Sequence, residues 1–145
     1  MPYAAEADLD AKWGPELVTL AAWDPVALAR NEARVTVALT AASAIMDGYF
    51  ARRFRLPLDA SPDGATLLTN LCCDLAMAQL SNTPGTRNEI VVDAEKRAIV
   101  FLRDVGDGKA SIPLVPTSPG PDVSPNEPVM IADGREFTRR RMRDL

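Results

Sequence analysis

The sequence has no histidine, and its only two cysteines are adjacent. Histidine is the commonest general base and the usual nitrogen ligand of zinc, so its absence argues against most hydrolases and against a histidine-based metal site. Cys72 and Cys73 lie in an apolar stretch and have neither metal-binding nor C-x-x-C spacing, which predicts buried free thiols. Gly106-Asp107-Gly108-Lys109 lacks the spacing of a phosphate-binding loop. We therefore expect no enzyme activity, no cofactor and no metal.

Long hydrophobic runs are also absent. A membrane-spanning helix needs roughly 20 apolar residues, and no stretch approaches that length. The residues after Met1 lack the basic and apolar regions of a signal peptide. With 145 residues, 47% apolar and 25% charged, the chain suits one globular domain that is made in the cytoplasm and has no membrane partner.

The net charge of −4 is unevenly distributed along the chain. Residues 135–145 contain five arginines and two acidic residues, a charge of +3, so the remaining residues carry −7. The predicted protein therefore has an acidic body and a basic end.

One stretch, residues 35–58, predicts a long central helix. Its apolar residues recur at i, i+3, i+4 and i+7, which places them on one helical face. Pro57 disfavours helical geometry at Leu56 and so stops the helix nearby. The predicted buried face consists of Val35, Ala38, Leu39, Ala42, Ile45, Met46 and Tyr49.

Shorter helical patterns surround this stretch, and together they predict an all-α bundle of four to five helices. Residues 7–14 and 15–23 each form a helix, and Asp24-Pro25 then predicts a further helix start near Val26. Ser61-Pro62 begins a helix through residue 80, which is apolar on most sides and should be central. Thr86-x-x-Glu89 resembles a capping box. It precedes a buried stripe of Ile90, Ala94, Ala98, Phe101 and Val105.

From Ser111 onward, prolines recur too often for a helix or a central strand. We therefore divide the chain into a helical domain, residues 1–110, and an extended arm, residues 111–145. Within the arm, residues 129–138 predict a short β-hairpin around Asp133-Gly134. Because two strands are unstable alone, that hairpin should pair with a partner.

Two groups of residues are candidates for contacts with other proteins. The first is an inter-subunit group at the end of the long helix, where cations also complement the helix dipole: Tyr49, Arg52, Arg53, Phe54 and Arg55. The second lies at the chain end and suits either phosphate binding or docking on an acidic protein: Arg135, Phe137, Arg139, Arg140, Arg141 and Arg143. If these residues at the chain end bind phosphate, the protein would instead be a small nucleic-acid-binding regulator.

Several motifs in order resemble those of the Mu-like phage neck proteins, which are small helical head-tail connector (adaptor) proteins. The motifs near the end of the long helix are Ile45-Met46-Asp47-Gly48-Tyr49, Arg53-Phe54 and Leu56-Pro57-Leu58. The others are Ala7-Asp8-Leu9, Trp13-Gly14, Leu71-Cys72-Cys73-Asp74-Leu75-Ala76, Phe101-Leu102, Gly108-Lys109-Ala110-Ser111, Arg135 and Phe137-Thr138-Arg139.

This resemblance implies a structural protein of the phage or prophage virion, located in the neck. It implies a ring, a dodecamer, beneath the portal protein, through which genomic double-stranded DNA passes without sequence-specific binding. The tail-side partners would be other neck proteins, a stopper or tail terminator. The terminal arginines and Phe137 would fasten the arm to the portal or to a neighbouring ring.

Overall fold

A computed structural model of the protein describes residues 2–82 and 85–115. Within this part, the elements are the helices α1 (Glu6–Trp13), α2 (Pro15–Ala21), α3 (Glu32–Phe50), α4 (Pro62–Leu80) and α5 (Glu89–Gly106), with two antiparallel strands, β1 (Trp23–Asp24) and β2 (Ala29–Arg30). The predicted all-α bundle is confirmed. The predicted hairpin at 129–138 lies outside the described residues.

Helix α4 is the centre of the bundle and packs against α1, α2, α3 and α5. Ten of its 19 residues are buried, including both cysteines, which are free thiols. As the sequence predicts, the Ser61 side chain caps its start by accepting a hydrogen bond from the Gly64 N–H, and Pro62 occupies the first turn. The apolar composition of this helix therefore reflects burial on most sides.

The three long helices alternate in direction. Leu39 and Ser43 of α3 contact Cys72 of α4, whereas Ala38 lines the same cavity as Leu80 further along α4, so α3 and α4 are antiparallel. Arg34 lies beside Thr86, just before α5. At the other end, the end of α5 lies beside the end of α3, so these two helices run parallel.

The long helix is shorter than residues 35–58 and begins later than Val26. Asn31 caps α3 by accepting from the Arg34 N–H, whereas Asp24 accepts from the N–H groups of Val26 and Ala27 and so stabilises a turn. That turn joins β1 to β2, a hairpin that the sequence analysis missed. The helix ends at Phe50, which is fully buried, and the Phe54 N–H bonds back to the Phe50 carbonyl.

The buried face of α3 also differs from the predicted set. Ile45 is exposed and Tyr49 is only half-buried, whereas Ser43 and Phe50 are buried instead. Phe50 is the last residue of α3, and its carbonyl oxygen accepts hydrogen bonds from the Arg53 and Phe54 N–H groups in the turn that follows.

The predicted capping box before α5 is wrong. Asn88 is the cap and accepts a hydrogen bond from the Val91 N–H, so the helix begins at Glu89. The predicted buried stripe is also wrong at two positions, because Ile90 is exposed and Phe101 is half-buried. The buried stripe is Val91, Ala94, Ala98, Leu102 and Val105.

Residues just after the predicted domain boundary at 110 pack against the helices. Ile112 is buried in the core, and Leu114 pairs with Ala60 in a β-bridge. The Ser61 N–H donates to the Pro113 carbonyl, close to the start of α4. The helical body therefore includes the chain as far as Val115.

Candidate interaction surfaces

The inter-subunit residues predicted from sequence form a group around the end of α3, which we call the arginine–aromatic cluster: Tyr49, Arg52, Arg53, Phe54 and Arg55. The Arg52 guanidinium carbon lies 6.0 Å from the centre of the Tyr49 ring. The Arg53 guanidinium carbon lies 5.8 Å from the centre of the Phe54 ring. Both distances fall within the range of cation–π attraction. Each aromatic ring therefore helps to fix the direction of an arginine side chain.

Glycines at the end of α5 allow the cluster to lie close to that helix. A Cβ atom at Gly106 would lie 3.2 Å from the Tyr49 carbonyl oxygen. Gly108 has a φ of +80°, a conformation that favours glycine, and a Cβ atom there would lie 3.0 Å from a terminal nitrogen of Arg53. The two helix ends thus form one continuous surface.

The charges of this surface are only partly paired. Asp107 lies 3.7 Å from Arg52 and 4.0 Å from Lys109, and these exposed ion pairs contribute little stability. Arg53 and Arg55 are exposed and belong to neither pair. Their guanidinium groups can therefore bind a carboxylate or a carbonyl oxygen of another molecule.

The opposite end of the body has a different, apolar character, which the sequence analysis did not identify. Val26 and Leu28, at the tip of the β-hairpin, are 91% and 73% exposed. Leu20 and Trp23 are also exposed, and they border a shallow cavity of about 360 Å³ that reaches Arg34 and Thr86. Exposed apolar groups concentrated at one site are typical of surfaces that bind other proteins.

Ion pairs hold the β-hairpin against α1. Arg30 donates to both carboxylate oxygens of Asp10, at 2.8 and 3.0 Å, and also pairs with Glu6. Its side chain is only 15% exposed, so solvent screens these pairs less than it screens those of the arginine–aromatic cluster. The hairpin is thus a fixed projection of the body.

The titratable side chains of Tyr3, Cys72 and Cys73 belong to the packed interior of the body. The Tyr3 hydroxyl donates to Asp47, and burial together with this hydrogen bond raises the pKa of Tyr3 well above its usual value. Burial also raises the pKa of the Cys73 thiol to about 12 and raises that of Cys72. Both cysteines are therefore neutral thiols at physiological pH.

Among residues 2–82 and 85–115, no three histidine, cysteine or acidic side chains come together as metal ligands would. None of the helices in this part of the chain is both long enough and apolar enough to cross a membrane. The predicted docking residues Arg135, Phe137, Arg139, Arg140, Arg141 and Arg143 lie outside the described residues.

Comparison with known proteins identifies relatives of this helical body. A family model described as Bacteriophage Mu, Gp36 matches residues 3–131. Gene product J of Escherichia phage Mu is 37% identical over 79 residues, which cover 54% of this chain and 52% of the relative. The Mu-like prophage FluMu protein gp36 of Haemophilus influenzae is 32% identical over 112 residues, 77% of this chain and 76% of the relative.

The chain thus matches about half the length of the phage Mu protein and about three quarters of the prophage protein. The family match includes α1 to α5, and it includes the arginine–aromatic cluster. The chain belongs to the Bacteriophage Mu Gp36 family.

Proposed function

We propose that this protein is a head-tail connector that forms a dodecameric ring beneath the portal protein of a Mu-like phage or prophage. The ring lengthens the DNA channel and joins the head to the tail-side neck proteins, a stopper or tail terminator. The observation that carries this proposal is the family match over residues 3–131. We propose that the protein acts by binding other proteins and is not an enzyme.

The two ends of the helical body support this role because they have different chemistry. A connector must bind different proteins above and below, and a ring requires two complementary faces on each subunit. The arginine–aromatic cluster suits carboxylates or carbonyl groups of a neighbouring protein, with Tyr49 and Phe54 as rigid apolar anchors. The apolar end, with Trp23 and the hairpin tip, suits a hydrophobic partner.

Charge also fits a protein that surrounds DNA without holding it. The chain outside residues 135–145 carries −7, so an acidic inner wall would repel the phosphates and let DNA slide. The basic residues 135–145 would instead fasten each subunit to the portal or to a neighbouring ring.

Electron microscopy of a lysate from the encoding phage, with an early stop codon in this gene, tests the proposal. We expect filled heads beside unattached tails, and complementation with the intact gene should restore complete virions. Normal tailed virions in the absence of the protein would overturn the proposal.

Complementation also tests the arginine–aromatic cluster. Arg53→Glu reverses the charge of an exposed arginine that pairs with no described carboxylate, so it should lower the yield of joined particles by about tenfold or more. Arg53→Lys is the matched control, because it keeps the positive charge at the same exposed position. Equal yields from the two variants would remove the cluster from the connector's interfaces.

The second candidate function is a nucleic-acid-binding regulator, which the five arginines of residues 135–145 favour. Phosphate contacts release counterions, so DNA binding by these arginines would weaken steeply with salt. Tight, salt-dependent binding of the free protein to double-stranded DNA, lost on removal of residues 135–145, would support this alternative.

A further inference from the structure

The loop that joins β1 to β2 has an unusual composition for the end of a hairpin. We call residues 25–28, Pro-Val-Ala-Leu, the hairpin tip. Turns normally carry polar residues and glycine, yet Val26 is 91% exposed here and Leu28 is 73% exposed. Side chains this exposed contribute little packing to a single copy of the protein.

The backbone at Leu28 points in the same direction. Its φ of +52° lies in the left-handed region, which glycine and asparagine adopt far more readily than leucine. Residues held in sparsely populated conformations cluster at binding sites. Because Leu28 is exposed, contacts within one copy do not account for a leucine at this position.

The hairpin tip is also held in one conformation. The Asp24 carboxylate accepts hydrogen bonds from the N–H groups of Val26, at 2.9 Å, and Ala27, at 3.3 Å. The ion pairs of Arg30 fix the base of the hairpin to α1. A loop that is already ordered loses little conformational freedom on binding, so its apolar side chains are well placed to act as anchors.

The body has a groove that suits such an anchor. Its α5 side consists of Ile90, Ala94 and Arg97, whose i, i+4, i+7 spacing places them in one stripe of the helix. We define the α1–α5 groove as the cavity of about 330 Å³ lined by Lys12, Trp13, Asp74, Ile90, Ala94 and Arg97. Ile90 is 65% exposed, so an apolar part of this groove is open to another molecule.

The groove carries a cation that has no acidic partner in the described part of the chain. Lys12 pairs with Asp74 at 2.7 Å. Arg97 donates through Nε to the Asp93 carbonyl oxygen of its own helix, and it belongs to none of the ion pairs among residues 2–82 and 85–115. Its terminal guanidinium nitrogens can therefore bind a carboxylate of another molecule.

The hairpin tip has the opposite charge beside it. Hydrogen bonds from Val26 and Ala27, together with the more distant charge of Arg34, lower the pKa of Asp24, which is ionised at neutral pH. Asp24 and Arg34 do not approach within the 4 Å of an ion pair. The tip thus combines two apolar side chains with a carboxylate, and the groove combines apolar residues with a guanidinium group.

From this complementarity we propose that the hairpin tip of one copy docks into the α1–α5 groove of a second copy. This inference rests on the proposed ring and identifies a contact between its neighbours. Val26 and Leu28 pack against Trp13 and Ile90, while Arg97 approaches Asp24. Because the tip and the groove are different surfaces, the contact is heterologous, the type that a closed ring requires.

Cross-linking in purified phage particles tests this contact. The variant carrying Leu28→Cys and Ile90→Cys should, on oxidation, form a ladder of covalent multimers that ends at the closed ring. Leu28→Cys with Val100→Cys is the matched control and should stay largely monomeric. Val100 is 53% exposed on the same helix, but it lies about 15 Å further along α5 and does not line the groove.

The outcomes separate the two proposals. If the protein is present in particles but the Leu28 and Ile90 variant gives no more multimers than the control, the inferred contact is wrong and the connector stands. If the parent protein is absent from complete particles, both proposals fail. The native thiols do not interfere, because Cys72 and Cys73 are buried.

Leu28→Asn provides a second measurement that separates docking from folding. Asparagine tolerates a φ of +52° better than leucine, so the melting temperature of the free protein should stay the same or rise. Loss of the apolar anchor should nevertheless lower the yield of joined particles by about tenfold or more. Leu28→Met, which keeps an apolar side chain, is the control and should give nearly full yield. Full yield from Leu28→Asn would overturn the docking of the hairpin tip.

Discussion

At the scale of single residues, Arg30 forms the ion pairs whose loss should lower the stability of the protein most clearly. It joins the β-hairpin to Asp10 and Glu6 of α1 from a largely buried position. We expect Arg30→Ala to lower the free energy of unfolding by about 1–2 kcal/mol, between the values typical of exposed and buried pairs. Urea unfolding monitored by circular dichroism measures this loss.

Arg87→Ala is the control for that experiment, because Arg87 and Glu95 form a more exposed pair at 2.9 Å. Its cost should be below about 0.5 kcal/mol. An equal loss from the two variants would show that burial does not strengthen the contacts of Arg30.

The buried thiols predict how stability depends on pH. Burial raises the pKa of Cys73 from its ordinary 9.0 to about 12, so the unfolded chain loses this proton before the folded protein does. The stability that this buried thiol contributes is therefore fully present below pH 9, and it is lost as the pH rises towards 12. Urea midpoints at pH 8 and pH 10.5 should differ, and Cys73→Ala should reduce the difference. A difference unchanged by that substitution would assign the pH dependence to other groups, such as Tyr3.

At the scale of elements, two glycines in helices should respond oppositely to alanine. A Cβ atom at Gly64 in α4 would lie 2.0 Å from the Pro113 carbonyl oxygen, so Gly64→Ala must displace residues 110–115 and should cost about 1–3 kcal/mol. At Gly48 in α3 nothing lies within 4 Å of the added atom. Gly48→Ala should therefore raise the stability of the free protein by about 0.5–1 kcal/mol.

Thermal unfolding of the two variants beside the parent protein measures both signs. Destabilisation by Gly48→Ala would contradict the regular, open position of this residue in α3. An unchanged melting temperature for Gly64→Ala would contradict the close packing of Pro113 on the start of α4.

The helices and the β-hairpin differ in how well the sequence predicts them. Apolar periodicity and Ser61-Pro62 predicted α4 and its central position, because local capping and the hydrophobic pattern agree there. The predicted start of α5 was wrong because Thr86 and Asn88 both precede an acidic residue and both suit a helix cap. Only the folded chain shows that Asn88 is the cap. The β-hairpin was missed since Asp24-Pro25 serves a turn as well as a helix start.

The arginine–aromatic cluster could be predicted only in part from the sequence, because local patterns do not encode contacts between distant helices. The arginines and aromatic residues near position 52 are neighbours in sequence, so their grouping at one helix end was foreseen. Their closeness to Asp107 and Gly108 depends on the parallel arrangement of α3 and α5, which no local pattern encodes.

At the scale of the whole molecule, the central claim is that copies of this helical body form a ring at the junction of head and tail. Family membership relates the chain to phage Mu, and the two chemically different ends of the body suit a protein that joins two others.

A cryo-electron microscopy reconstruction of the virion neck tests this claim most directly. We predict a dodecameric ring beneath the portal whose subunits fit the five described helices. A neck in which no ring fits this bundle, although the virions are complete, would contradict the account.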